Sequence, residues 1–555
     1  DELTYSPYDA HLTIKGQRVH FIANPQTEDP FKAKHFKFLG RNMHVDLSEQ
    51  DVVEKVGRDL RQRLALVDKD PVFGLAKLWI YQFYILSFLA WPFLIHDFAI
   101  SHVKALQPPT NKLLRRWAGL YKSADESILY RSREQFGLQL TSLTTHFKRM
   151  QVIKSHTLKH SNDPDVVDHY EQRVLREKDI SVWKGSQLLE VCEAMANHDF
   201  KFKGQNDRRG LGNGLYDPDP SGADHRKACG QAILKLESER YRGKVGCFER
   251  QGVWLQWSAL AQPFNLSWNN LLWGRHDTPL FKFVLNATLN TVVTPTLRKL
   301  WNYVRRADCA LCGHRKCTLH HIICNCKVAL KQKRYTWRHD SVLNTLQPFL
   351  QELVEAANAR PPSKPEESKI PPLSDSFRPK GAGGVKTVSK PRPKTKDGIL
   401  YGARDWKLRI DLHKDKKNFP ADICPTGLRP DIVIYSASEK IVVLGELTAG
   451  AEEGIAKAHK RKDKRYADLL VRIKKNDWHP HLFSFEVGAR GFVAHSTTTY
   501  LRNLGLSRRK SLAICRLLSR TAARCTYDIY QQAASAAWDP SRDLLLDVPL
   551  SEDKK

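Results

Sequence analysis

The stretch "RPDIVIYSASEKIVVLGELTAG", residues 429–450, decides how the C-terminal part of this 555-residue chain folds. "DIVIYS" and "KIVVLGE" are β-branched runs separated by a small polar turn around Ser436 to Glu439, which is the pattern of a hairpin. With the turn centred between Ser438 and Glu439, Asp431 falls directly opposite Glu446. Facing residues have Cβ atoms about 4.5–5.5 Å apart, and like charges there are destabilising. A divalent cation offsets that repulsion, and hard oxygen ligands at a strand end suit Mg²⁺ (or Mn²⁺), which keeps several waters and takes a phosphate oxygen. The plainer reading is that Asp431 caps a strand and Glu446 is merely exposed.

A phosphodiester-cutting site of this kind also needs a lysine, and the position two beyond Glu446 is Thr448. The next segment, "AEEGIAKAHKRKDKRYADLLVRI" from Ala451, predicts a helix. At about 100° per residue, Glu452, Ile455, His459, Lys462 and Tyr466 share one arc of about 80°, while Lys457, Lys460, Arg461 and Lys464 point elsewhere. Lys462 is therefore the lysine that shares a face with Glu452. It would position the attacking water and stabilise phosphate charge; alternatively it belongs to a solvated basic face. Downstream, "LFSFEVGARGFVAHS" predicts a strand and a glycine-bracketed turn presenting Arg490, as a phosphate contact or as packing.

Five of the eleven cysteines fall between Cys309 and Cys326. Cys309, Cys312, His321 and Cys326 have the spacing of a four-ligand structural zinc site with no open position. His320, Cys317 and Cys324 compete for ligand places; His321 and Cys326 are preferred because their spacing is expected to put both on one helical face. Just beyond, "KVALKQKRYTWRHDSVL" mixes Lys331, Lys333, Arg334 and Arg338 with Tyr335 and Trp337. Basic residues among aromatics suit nucleic-acid backbone contact and base stacking. A solvated helix with a packing tryptophan is the alternative.

The formal charge of +29 points to a polyanionic partner, nucleic acid before a membrane surface. Clustered cysteines read as metal ligands in a reducing compartment rather than a disulfide frame. The chain opens at Asp1 with no leader-like segment and is expected to be a fragment of something longer. "LWIYQFYILSFLAWPFLI" (78–95) has the length of a membrane span, but Gln82, Ser87 and Pro92 interrupt it; it reads as a buried helix pair broken near Pro92.

These segments together resemble the C-terminal part of the polyprotein of non-LTR retrotransposons that carry a restriction-like endonuclease. "RPD" (429–431), "GELT" (445–448), Glu452 and "RKDKRY" (461–466) resemble that family's variant of the PD-(D/E)XK motif, in which the lysine lies on the following helix. "CALCGHRKCTLHHIICNCKVAL" with "RYTWRHDSVL" is similar to its CCHC knuckle, "FKFLG" (36–40) to the last palm motif of its reverse transcriptase, and 78–120 to its thumb. The resemblance implies a multidomain chain. Its expected parts are the end of the palm (1–47), a helical thumb-like region (48–200), a helical connector with loops (201–300), and the zinc knuckle with its following helix (301–358). A disordered basic Pro-rich linker (359–400), an α/β restriction-endonuclease-like domain with a central mixed sheet (401–520) and a tail (521–555) complete it.

It further implies nicking of target DNA for target-primed reverse transcription, element RNA and DNA as partners, and a nuclear location. Asp431 and Glu446 would bind the ion, Lys462 would position water, and Tyr466 and Glu452 would support substrate and metal. Two departures stand out. The two-aspartate polymerase motif is absent, so polymerase activity is not expected, and Ala449 and Gly450 replace an apolar residue and proline. A non-enzymatic nucleic-acid-binding remnant is the competing expectation.

Overall fold

The computed structural model describes residues 50–133, 136–177, 185–205, 222–258, 278–360, 398–413 and 415–540, with short strand pieces before residue 44. Most of the expected linker, the loop-rich stretch at 206–221 and the end of the tail lie outside the described residues. The early pieces form two antiparallel hairpins: β1 (Thr13–Ile14) with β2 (Gln17–Arg18), and β3 (Phe36–Phe38) with β4 (Arg41–Met43). The rest is chiefly helical, with one four-stranded mixed sheet. The chain divides into two compact units: Asp1–Pro71, Trp79–Leu113 and Thr141–Lys235 in the first, and Val72–Leu78, Leu114–Leu140 and Leu236–Lys555 in the second. The expected edge near residue 200 does not coincide with this division, because segments on both sides of it cross over.

In the first unit the helix Leu143–Lys159 is the central element, packing against Leu86–Ile95, Pro164–Glu177 and Gly185–Gln205. Ser142 caps it by accepting a hydrogen bond from the Thr145 N–H at 3.0 Å. The apolar stretch 78–95 is not a broken pair. A π turn at Tyr81–Ile85 joins Gly74–Ile80 to Leu86–Ile95, and Pro92 lies inside the last segment. Gln151 helps hold that end by donating to the carbonyls of Phe93 and His96 at 2.7 and 3.0 Å. Tyr81, Ile85, Leu89 and Phe93 are buried, while Trp79, Phe83, Tyr84 and Trp91 are exposed. By length and composition, Gly74–Ile95 is a helix that could cross a membrane.

The second unit carries the sheet β5 (Lys407–Ile410), β6 (Ile432–Ser436), β7 (Ile441–Thr448) and β8 (His479–Glu486), ordered β5-β6-β7-β8. β5–β6 and β6–β7 are antiparallel and β7–β8 parallel. Every residue of β6 is buried, because both faces are covered. Ile432, Ile434, Val443, Leu447 and Phe485 pack under the helices Arg334–Asn358, His495–Leu504 and Arg508–Gln531. Val433, Tyr435, Val442 and Leu444 pack against Tyr466, Leu469 and Ile473 of the helix Ile455–Lys475. The result is a three-layer α/β/α arrangement. The helix assigned from sequence to the knuckle region is thus part of this core, and the expected edge at 520 falls inside the Arg508–Gln531 helix. Gly505 ends the His495–Leu504 helix at φ 116°, and a Cβ on Gly398 would meet its backbone at 2.2 Å, so glycine serves both partners.

Candidate active site and metal centre

The hairpin has the expected register. Ile432 pairs with Gly445, so Asp431 and Glu446 stand one step further out, at the mouth of β6 and β7. The Asp431 N–H donates to Glu446 Oε2 at 3.2 Å, and the Leu447 N–H donates to Asp431 Oδ2 at 2.7 Å. Lys462, from the helix that follows β7, places Nζ 3.2 Å from Glu446 Oε1 and 3.7 Å from Asp431 Oδ2, and donates to the Leu447 carbonyl. The Tyr466 hydroxyl donates to Glu446 Oε2 at 3.0 Å. Two carboxylates and a backbone carbonyl therefore converge on one ammonium, in a recess where Asp431 and Lys462 are only 15% and 14% exposed.

Burial, then the Asp431 charge, pushes the Glu446 carboxyl above its ordinary range, with Lys462 opposing. Burial pushes Asp431 the same way, but His339, Lys462 and the Leu447 N–H outweigh it and hold that carboxyl below its ordinary range. His339 is the site residue that sequence reasoning missed, although it lies in the quoted "RYTWRHDSVL". Its Nε2 is 3.3 Å from Asp431 Oδ2 and its Nδ1 is 3.2 Å from Asp340 Oδ1. Burial lowers its pKa, but the Asp431 charge and these carboxylate contacts raise it to about 9, so the ring is an imidazolium at neutral pH. Thr448, at the usual lysine position, keeps a buried hydroxyl with no hydrogen-bond partner among the described residues.

Glu452 is not part of this constellation. It sits in a short 3₁₀ turn ahead of the helix, so the helical angle does not extend to it. Its carboxylate is taken by Arg490, whose Nη1 donates to Oε2 at 2.6 Å and whose N–H donates to Oε1 at 2.5 Å. Arg490, expected as a phosphate contact, is 1% exposed and also pairs with Glu453. A charge this deeply buried needs its partners and cannot reach a ligand in solvent.

The basic-aromatic run is similarly a set of internal ties. Arg334 is buried and donates to the carbonyls of Gln532 and Ser535, closing the C-terminal end of the Arg508–Gln531 helix. Arg338, also buried, donates to the carbonyls of Ile323 and Ala449 at 2.9 and 2.8 Å and to Thr526. The Tyr335 hydroxyl donates to the His321 and Ile322 carbonyls and accepts from the Cys326 N–H. Trp337 packs edge-on against Trp538. Only Lys331 and Lys333 of the six face solvent, and Lys333 Nζ lies 2.9 Å from His413 Nε2.

Cys309, Cys312, His321 and Cys326 bring their ligand atoms within 4.8 Å of one another, a set that could hold a metal such as zinc. Cys309 and Cys326 sulfurs are 4.0 Å apart, and Cys312 Sγ is 3.4 Å from His321 Nε2. A tetrahedral zinc site has ligand–ligand edges of about 3.3–3.8 Å. Of the competitors, His320 is exposed and Cys324 takes a hydrogen bond from Arg338, while Cys317 is buried beside Cys309 without joining the converging set. The expected α-helical face does not exist, since residues five apart diverge on an α-helix. A π turn at His321–Asn325, with its wider i→i+5 repeat, brings Cys326 back beside His321. No protein-family profile matches the chain, and no curated protein sequence does.

Proposed function

We propose that the second unit is a metal-dependent DNA endonuclease, and that the chain is the C-terminal part of a non-LTR retrotransposon polyprotein that nicks target DNA for target-primed reverse transcription. The observation that carries this reading is the convergence of Asp431, Glu446 and the Leu447 carbonyl on the Lys462 ammonium. Three hard oxygens around one positive charge form a donor set that fits Mg²⁺ as well as an ammonium. The ion would supply Lewis-acid polarisation of the scissile phosphate and neutralise charge there. Lys462, on a long flexible stem, would then turn outward to orient water and the phosphate. Tyr466 fixes the Glu446 carboxylate, and His339 fixes that of Asp431. DNA, element RNA and a nuclear location follow from the resemblance, together with the net charge.

The test is nicking of supercoiled plasmid in Mg²⁺. Asp431→Ala and Glu446→Gln are expected to lower the rate by about 100-fold or more while leaving salt-sensitive DNA binding in place. Full Mg²⁺-dependent nicking by Asp431→Ala would remove the assignment. One observation favours a second reading: Lys462 already balances the carboxylates without any ion. A non-enzymatic nucleic-acid binder would bind DNA with no response to Mg²⁺ or to Lys462→Ala, and would not nick.

A further inference from the structure

In the first unit, three helices bring five ligand-bearing side chains together away from the knuckle and the carboxylate site. The helix Leu143–Lys159 and its cap supply His156 and His160, and Gly185–Gln205 supplies Glu193. The first turns of Ala223–Gly246 supply His225 and Cys229. The ligand atoms of His156, His225 and Cys229 lie within 4.8 Å of one another, as do those of His156, His160 and Glu193. His156, His225 and Cys229 are buried, Cys229 completely. We propose that this cluster is a second zinc site, ligated by His156, His225 and Cys229, with the Glu193 carboxylate beside it, tied to His156 through a second triad.

The argument rests on where the lone pairs point. His225 Nε2 is 3.0 Å from Asn197 Oδ1, which turns the other ring nitrogen inward. Nδ1 faces two groups at once: His156 Nε2 at 3.0 Å and Cys229 Sγ at 3.8 Å. In the neutral rings each inward nitrogen can offer one lone pair, and a single cation accepts from both nitrogens and the thiolate together. The spacings are close to the tetrahedral edges of about 3.3–3.8 Å set by zinc–nitrogen and zinc–sulfur bonds. The surroundings also have the form of a metal site's outer shell. Asn197 Oδ1 holds the outer nitrogen of His225, while Lys159 Nζ at 2.7 Å and His160 Nε2 at 2.9 Å hold the Glu193 carboxylate. Nitrogen and sulfur ligands on rigid helices, two of them four residues apart, select zinc over Mg²⁺.

The zinc content of the full chain, purified in zinc and counted by elemental mass spectrometry, tests this. Two equivalents per chain are expected. Cys326→Ser should remove the knuckle's and keep the other; Cys229→Ser should do the reverse. Glu193→Gln, at a half-buried position, should keep the fold but release one equivalent to a chelator roughly 10–100-fold faster. If Cys229→Ser does not fold, the Cys326→Ser count decides alone. One equivalent in that chain supports the site and none overturns it. A folded Cys229→Ser chain that keeps both equivalents would also overturn it.

Discussion

The cysteine knuckle and the carboxylate recess are both places where ligand atoms converge, yet they solve opposite problems. In the knuckle, three thiols and an imidazole approach one another, with no lysine or arginine among the converging atoms. If the set takes the zinc it could hold, metal binding and local folding would be the same event. In the recess, two carboxylates and a carbonyl converge on a lysine of the same chain. That group is balanced by its own lysine, and in the proposed function it would give the position up to a substrate-bound ion. A closed soft-ligand site thus reads as structural, and a hard-oxygen site with a movable internal cation reads as exchangeable.

The sharpest way to break this comparison is to strip the zinc. Chelation, or Cys326→Ser, is expected to unfold the knuckle and lower the melting temperature of the second unit by about 10 °C or more, given the size of structural zinc binding energies. Because Arg338 joins the Ile323 carbonyl to the Ala449 carbonyl just past β7, Mg²⁺-dependent nicking should fall with it. Hydrogen exchange should show loss of protection at 319–330 and at the end of the Arg508–Gln531 helix. Nicking that survives complete zinc removal would show the two sites to be independent.

A smaller effect separates structural acids from the proposed catalytic ones in the second unit. Glu452→Ala leaves the buried Arg490 guanidinium with the partly exposed Glu453 as its one carboxylate partner, beside the Asn290 amide, and is expected to cost about 3–5 kcal/mol of stability. Nicking per folded molecule, normalised by the unfolded fraction in urea, should not change. A folded Glu452→Ala chain with lost nicking would return Glu452 to the active site. Lys462→Ala differs in kind. It leaves Asp431 and Glu446 facing each other uncompensated, so its stability should become strongly dependent on added Mg²⁺, by mass action. A melting temperature of the variant that ignores millimolar Mg²⁺ would argue against any ion at these carboxylates.

How much of this could be read from residues alone depends on distance along the chain. The hairpin was legible because its turn and its alternation fix the register locally, and that register carries Asp431 and Glu446 to their places. Lys462 and Tyr466 were legible because a helix following a strand has a fixed angular repeat. Glu452 was misplaced because the repeat begins only at Ile455. His339 could not be found, since it reaches Asp431 from 92 residues away through the packing of a helix on the sheet. Arg334, Arg338 and Arg490 were misread for one reason: a basic residue that closes a helix end or holds a buried loop looks in sequence like one that meets phosphate. The four knuckle residues do converge as expected, but by another geometry, because a π turn leaves no signature in spacing.

The smallest expected effect is a pH dependence, and it tests whether the recess is held by charge. The His339 pKa is raised from 6.5 to about 9, chiefly by Asp431 against the cost of burial. A raised pKa means the folded state binds the proton more tightly than the unfolded chain does. The stabilisation is therefore complete below about pH 6.5 and is lost as pH rises towards 9. After allowance for partial solvent access it amounts to on the order of 2 kcal/mol. Urea denaturation at pH 6 and pH 9 should show this loss in the wild type and a flatter profile in His339→Gln. The Asp431 carboxyl, having lost its imidazolium, should titrate higher in the variant, shifting the acid limb of the nicking profile upward. Equal pH slopes in the two chains would mean that Lys462 and the Leu447 N–H alone hold Asp431, and that His339 is packing.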